Sequence, residues 1–245
     1  GTPIQNVGAY GQEVSEVVAS VRVYDRHKRN VREMDRAECG FDYRTSVFNT
    51  TARGRYVVLV VEYDLKKTGQ PKTDYPDLKR YFEGNSNPNL AEVRYAVRKI
   101  RTAKAMLRVD GDPDCASVGS FFKNPILDEA AYRKVLDLAH TVGVLRAGED
   151  IPHYRSPNGL TKVSAAWMIE AAGYQKGVSD GAVGLSNKHA LALINKGGAR
   201  AADVLRFAGD VQSLVEDRFG VRLATEPVFA GFSDDVVSRF SAVRA

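Results

Sequence analysis

The run Tyr56-Val57-Val58-Leu59-Val60-Val61 constrains this chain more than any other stretch. Consecutive β-branched, aromatic and leucine side chains fit the pleated surface of a sheet, so the run predicts a strand. Gly54 before it and Lys66-Lys67-Thr68-Gly69 after it supply the breaks. No polar residue alternates with the apolar ones, and the strand is therefore expected to be buried on both faces. Upstream, Val17, Ala19, Val21 and Val23 alternate with polar or small residues, the period of a half-buried strand. Arg26-His27-Lys28-Arg29-Asn30 then reads as a solvated hairpin loop rather than a binding patch.

Helical periodicity takes over from Asn89, where Leu90, Val93, Val97 and Ile100 recur at steps of three and four, predicting an amphipathic helix to about Lys104. The cluster Asp110-Gly111-Asp112-Pro113-Asp114 breaks it and is the preferred domain boundary. Asp128 can cap a helix running to about His140, and Gly148 to Gly159, with Pro152 and Pro157, reads as loop. Val163 to Ala172 reads as a short helix stopped by Gly173. Ala190 to Ile194 reads as a buried strand closed by Asn195-Lys196-Gly197-Gly198. Val204, Ala208, Val211 and Val215 share one face of a helix ended by Gly220, and a last strand is expected from Val221 to Phe229. The fold class is α+β, in two domains, without internal repeats.

A chain of 245 residues, 44% hydrophobic, can bury a real core. Its net charge of +5 suits an acidic small molecule, and because the basic residues are spread along the chain a nucleic-acid groove has no special support. Cys39 and Cys115 form no metal or disulfide spacing, and His27, His140, His153 and His189 show no HxxxH or HExxH pattern, so no metal is expected. No apolar run approaches the ~20 residues that span a bilayer, and no signal peptide is recognisable. A soluble protein of a reducing cytoplasm is expected, with no membrane partner. The sequence opens Gly1-Thr2-Pro3-Ile4 and reads as the interior of a longer protein. No GxGxxG or P-loop pattern supplies a nucleotide-binding glycine turn.

Chemistry concentrates in Gly119-Ser120-Phe121-Phe122-Lys123-Asn124-Pro125, where a hydroxyl, a cation and an amide follow one glycine. Ser120 is either a turn or cap hydroxyl or a proton donor, for which Lys123 is the local stabilising neighbour. Arg44, between aromatics and a polar turn in Phe41-Asp42-Tyr43-Arg44-Thr45-Ser46, is either preorganised for a carboxylate or phosphate or stacked on Tyr43 and paired with an acid. Glu226 is either a functional acid in an apolar strand or an edge residue facing water beside Pro227. Tyr75 is a surface anchor or part of a lid over a ligand.

These segments, with Pro3 to Gly11, Arg101-Thr102-Ala103-Lys104, Lys162 to Glu170, His189-Ala190-Leu191 and Phe219 to Pro227, resemble the UDP-N-acetylenolpyruvoylglucosamine reductases, collinearly and over essentially the whole chain. The resemblance implies the latter part of an FAD-binding domain of the vanillyl-alcohol-oxidase type in residues 1–108, an α+β substrate-binding domain in 109–215, and a tail, 216–245, returning to the first. It implies FAD and NADPH as cofactors, a UDP-sugar bearing an enolpyruvyl group as substrate, and a place in peptidoglycan synthesis. It also implies catalytic roles for Arg44, Ser120 and Glu226, and substrate contacts from Tyr43, Tyr75, Lys104, Asn124, Tyr154, Lys162 and, more loosely, His189. Gln5, Asn6, Gly8, Ala9 and Tyr10 resemble the flavin-proximal turn. The departures are the family's N-terminal glycine turn for the FAD pyrophosphate, not found here, and Ala224-Thr225 before Glu226. A non-catalytic UDP-sugar binder is the alternative reading.

Overall fold

The computed structural model describes residues 2–85, 87–156 and 159–240, a mixture of helix and sheet in two compact units, 1–100 and 101–245. The first opens with a 3-10 turn, Pro3–Gln5, and a ribbon of β1 (Gly8–Ala9) and β2 (Gln12–Glu13). A three-stranded antiparallel sheet follows, ordered β4-β3-β5, from β3 (Val18–Asp25), β4 (Asn30–Asp35) and β5 (Tyr56–Tyr63). Then come α1 (Pro76–Tyr81) and α2 (Leu90–Ala103), which carries the chain into the second unit.

Strand β3 turns Val18, Val21, Val23 and Asp25 inward, while Ala19 faces out. The register shift between Val18 and Ser20 explains that departure from the expected alternation. Asp25 is fully buried, and its carboxylate accepts from Arg55 Nη2 at 2.7 Å and from the backbone N–H groups of His27 and Lys28. The basic hairpin is thus held by the acid that precedes it. The expectation for β5 fails: Val57, Leu59 and Val60 are about half exposed, because β5 is an outer strand and only Tyr56, Val58 and Val61 pack against the inner cluster.

The second unit contains β6 (Ser117–Ser120), β7 (Ile126–Leu127), α3 (Glu129–Thr141), β8 (His153–Arg155), β9 (Thr161–Val163), α4 (Ala165–Ala172), β10 (Ser179–Asp180), β11 (Val183–Leu185), β12 (Ala192–Asn195), α5 (Ala201–Phe219) and α6 (Asp234–Arg239). Two sheets are formed, ordered β10-β11-β12-β6 and β7-β9-β8. Asp128 caps α3 by accepting from the Ala131 N–H at 2.8 Å, and Ser164 caps α4 through the Trp167 N–H. Gly220 ends α5 with φ +66°, a left-handed conformation that costs a glycine little. One face of α5, with Phe207, Ala208, Val211, Val215 and Phe219, is buried in a continuous core shared with α3, α4 and β11.

Two expectations here are corrected. The proline-flanked stretch Gly148 to Gly159 contains β8, recruited because β9 offers it a pairing edge. The stretch Val221 to Phe229 is not a strand: its sheet-like contact is a single bridge, Phe122 to Thr225, made by the hydrogen bonds from the Lys123 N–H to the Ala224 carbonyl and from the Glu226 N–H to the Phe121 carbonyl. Leu223, Phe229 and Phe240 from this C-terminal region join the core of the second unit. No helix among the described residues is long and apolar enough to cross a membrane.

Candidate functional site

In the first unit the expected residues gather around Arg44. The 3-10 turn and the left-handed Asn6, φ +54°, bring the carbonyls of Asn6 and Gly8 to one side, where the Arg44 guanidinium donates to them at 3.1 and 2.8 Å. Its carbon lies 5.3 Å from the centre of the Tyr43 ring, a cation-π contact. Arg44 itself adopts φ +54°, a strained conformation for a non-glycine residue, which its many contacts hold in place. Gly8 lies in a tight place: a Cβ would meet Glu13 Cγ at 3.0 Å, the Gln12 carbonyl at 3.1 Å and Arg44 Nη1 at 3.2 Å. The contact with Tyr43 is present, and two hydrogen bonds of Arg44 run to backbone carbonyls.

Asn6 is 1% exposed and its amide is engaged internally, donating to Glu13 Oε2 and the Asp42 carbonyl and accepting from the Ser15 N–H. It builds the turn that Gln5, Gly8 and the exposed Ala9 belong to. Tyr10, also at φ +54°, packs edge-on against Tyr75, ring centres 5.2 Å apart. Tyr75 precedes α1, and its carbonyl starts that helix by accepting from Leu78 and Lys79.

In the second unit the backbone of Phe121 gathers a second group. Its N–H donates to the Leu191 carbonyl at 2.7 Å, and its carbonyl accepts from the Glu226 N–H at 2.8 Å. Ser120 and Glu226, more than 100 positions apart in sequence, are therefore carried on adjoining backbone. His189 sits at the start of the segment that returns through Leu191, and its Nδ1 accepts from the Leu191 N–H at 3.0 Å, which leaves the neutral ring's proton on Nε2. Asp114, buried, holds the same turn by accepting from the Asn187 N–H at 2.8 Å, a contact 73 positions away that no local pattern announces. Phe121 and Phe122, which follow β6, are both core residues.

A third group lies on the sheet β7-β9-β8. Asn124 accepts the Ala165 N–H at 2.9 Å through its side-chain oxygen, so it fixes the start of α4. Tyr154 and Lys162 are register partners, and the ammonium lies 5.3 Å from the ring centre. Lys104 follows α2 in a turn closed by the bond from the Met106 N–H to the Arg101 carbonyl. Arg44, Tyr43, Tyr75 and residues 5–10 thus belong to the first unit, and Lys104, Ser120, Asn124, Tyr154, Lys162, His189 and Glu226 to the second.

A cavity of about 690 Å³ also lies in the second unit, lined by Val109, Val118, Phe121, Leu193, Val204 and Phe229 among others. None of the expected polar residues lines it, although Phe121 and Pro227 adjoin Ser120 and Glu226. Arg108, Asp110, Asp112, Ser117 and Asn195 also line it, but the residues expected from the sequence fall in the three polar clusters outside it. Among the described residues no group of three or more His, Cys, Asp or Glu side chains is arranged to hold a metal ion.

Residues 112–230 match the sequence model of the UDP-N-acetylenolpyruvoylglucosamine reductase C-terminal domain. Relatives named UDP-N-acetylenolpyruvoylglucosamine reductase include those of Thermobifida fusca, 44% identical over 94% of this chain and 64% of the relative, and Salinispora arenicola, 42% identical over 93% and 62%. The chain spans less than two thirds of the length of these curated relatives. The fold is similar to the crystal structure of the Thermus caldophilus reductase, with a TM-score of 0.52 at 21% identity over 92% of this chain and 57% of that one. Residues 112–230 therefore carry the family's C-terminal domain pattern, and most of the chain is similar to proteins named UDP-N-acetylenolpyruvoylglucosamine reductase.

Proposed function

We propose that this chain carries the substrate-handling part of an NADPH- and FAD-dependent reductase that converts UDP-N-acetylglucosamine enolpyruvate to UDP-N-acetylmuramate. The observation that carries this reading is the hydrogen bond from the Glu226 N–H to the carbonyl of Phe121, the residue that follows Ser120. A proton donor and an acid on adjoining backbone suit a reaction in which charge develops on a carboxylate-bearing carbon.

The turn around Gly8 fits one edge of a flavin, since Ala9 is exposed and its neighbours are small or engaged within the chain. Gln5, Ala9 and Tyr10 are the residues proposed to touch it, with Asn6 and Gly8 shaping the turn; the sequence holds no pyrophosphate-binding glycine turn. When bound, FAD would take hydride from NADPH and supply it to the enolpyruvyl methylene carbon. The electron pair of the double bond then moves onto the adjacent carbon and into the carboxylate as an enolate. Arg44 and Glu226 are proposed to polarise that carboxylate and hold the enol form. Ser120 Oγ gives its proton to the adjacent carbon and regains one from water, which completes the reduction. Tyr154, Lys162, Lys104, Asn124, Tyr75, Tyr43 and His189 are proposed to bind the UDP-sugar, the lysines answering the diphosphate charge.

The purified chain is first incubated with FAD, freed of excess dye, and its visible absorbance recorded. Retained flavin permits the decisive variant, Ser120→Ala: reduction of the flavin by NADPH should continue, while product formation falls by roughly 10²–10⁴-fold. Unchanged turnover would show that Ser120 is not the donor. A colourless chain that still binds the UDP-sugar supports the binder reading instead.

A further inference from the structure

We propose that Tyr132 is a positioning residue that holds the Tyr154–Lys162 pair in place by clamping β8 from behind; this rests on the substrate reading above. Tyr132 lies on α3 and is 2% exposed. Its ring is caught between two residues of β8. The His153 ring centre is 5.1 Å away, and the Arg155 guanidinium carbon lies 5.4 Å from the Tyr132 ring centre. The phenol donates to Asp150 Oδ1 and sits 3.1 Å from His153 Nδ1. His153 Nδ1 also lies 2.7 Å from the Ile151 carbonyl, and Asp150 accepts the Ile151 N–H at 2.8 Å, so the approach to β8 is tied at several points. A second tie runs from α3 at the far end of the strand, Arg155 to Glu129 at 3.1 Å.

Alternation gives this clamp its meaning. His153 and Arg155 share the face that meets Tyr132, so Tyr154 between them points the other way, where Lys162 is its register partner. Strand β8 has three residues, all exposed, and pairs on one side with β9. Such a short outer strand opens readily unless something pins it. Burial, followed by the neighbouring Asp150, pushes the Tyr132 phenol well above its ordinary range, so the donor stays protonated near neutrality.

The test is calorimetric titration of the chain with UDP-N-acetylglucosamine. Tyr132→Phe keeps the ring and loses the hydroxyl, and should weaken binding roughly tenfold. Asp150→Asn preserves an acceptor for the phenol and should bind within about twofold of the parent. Val135→Ala, on the same helix and equally buried, lowers stability without touching the clamp and should leave affinity unchanged. Lys162→Met reports the direct contribution of the pair. Parental affinity in Tyr132→Phe beside a weakened Lys162→Met overturns the positioning role and leaves the substrate reading standing. Equal weakening in Val135→Ala and Tyr132→Phe reduces Tyr132 to a structural residue. No binding by the parent, or parental affinity in Lys162→Met, removes the substrate reading and the positioning role with it.

Discussion

In the first unit β5 leaves Val57, Leu59 and Val60 about half exposed, whereas in the second β11 and β12 bury Val183, Leu185, Leu193 and Ile194 to 4% exposure or less. The side chains are of the same kind. The difference lies in position: β5 is outermost in a three-stranded sheet, while β11 and β12 are the inner strands of a four-stranded one beneath α5. A β-branched run therefore announces a strand, and the neighbours it acquires decide how much of it is covered. The second unit has one continuous apolar core; the first combines a small cluster around Val21 and Val23 with the buried carboxylate of Asp25.

The sharpest way to break this contrast is Phe207→Ala. Phe207 is 1% exposed on α5, and its loss should cost about 3–5 kcal/mol, read by urea denaturation. A cost below about 1 kcal/mol would show that the second unit does not depend on a tightly packed core. Acid unfolding probes the first unit. Arg55, helped by the N–H groups of Lys28 and His27, holds the Asp25 carboxyl far below its usual range. A depressed carboxylate contributes stability that is complete above the unfolded pKa of about 3.9 and is lost as pH falls below it. Arg55→Met should therefore flatten the acid limb of stability against pH; an unchanged limb would place the acid sensitivity elsewhere. The smallest effect is expected at β5, where Leu59→Lys should change stability by no more than about 0.5 kcal/mol. A loss of several kcal/mol would mean that this face is covered in solution.

Local patterns were legible where the physics is local. The caps Asp128 and Gly220, the basic hairpin and the face of α5 are each fixed by residues within a few positions of one another. What escaped depended on distant partners. Strand β8 exists because β9 is there to pair with it, and the strand expected over Val221 to Phe229 lacks a ladder beyond Thr225. Among the candidate site residues, motif resemblance selected Arg44, Ser120 and Glu226. It did not reveal that Arg44 is held by carbonyls 36 and 38 positions away, nor that Tyr132, an ordinary apolar position of α3, is tied to Asp150.

The contact that brings the Glu226 backbone beside the residue following Ser120 is made between peptide groups, the Glu226 N–H and the Phe121 carbonyl. Neither side chain takes part in its own placement by that bond. Backbone register and side-chain identity are therefore separable here: either side chain can be exchanged without removing that bond. Substitutions at these two positions accordingly leave that peptide-to-peptide bond available, so a library randomised at both keeps this piece of the backbone's own register.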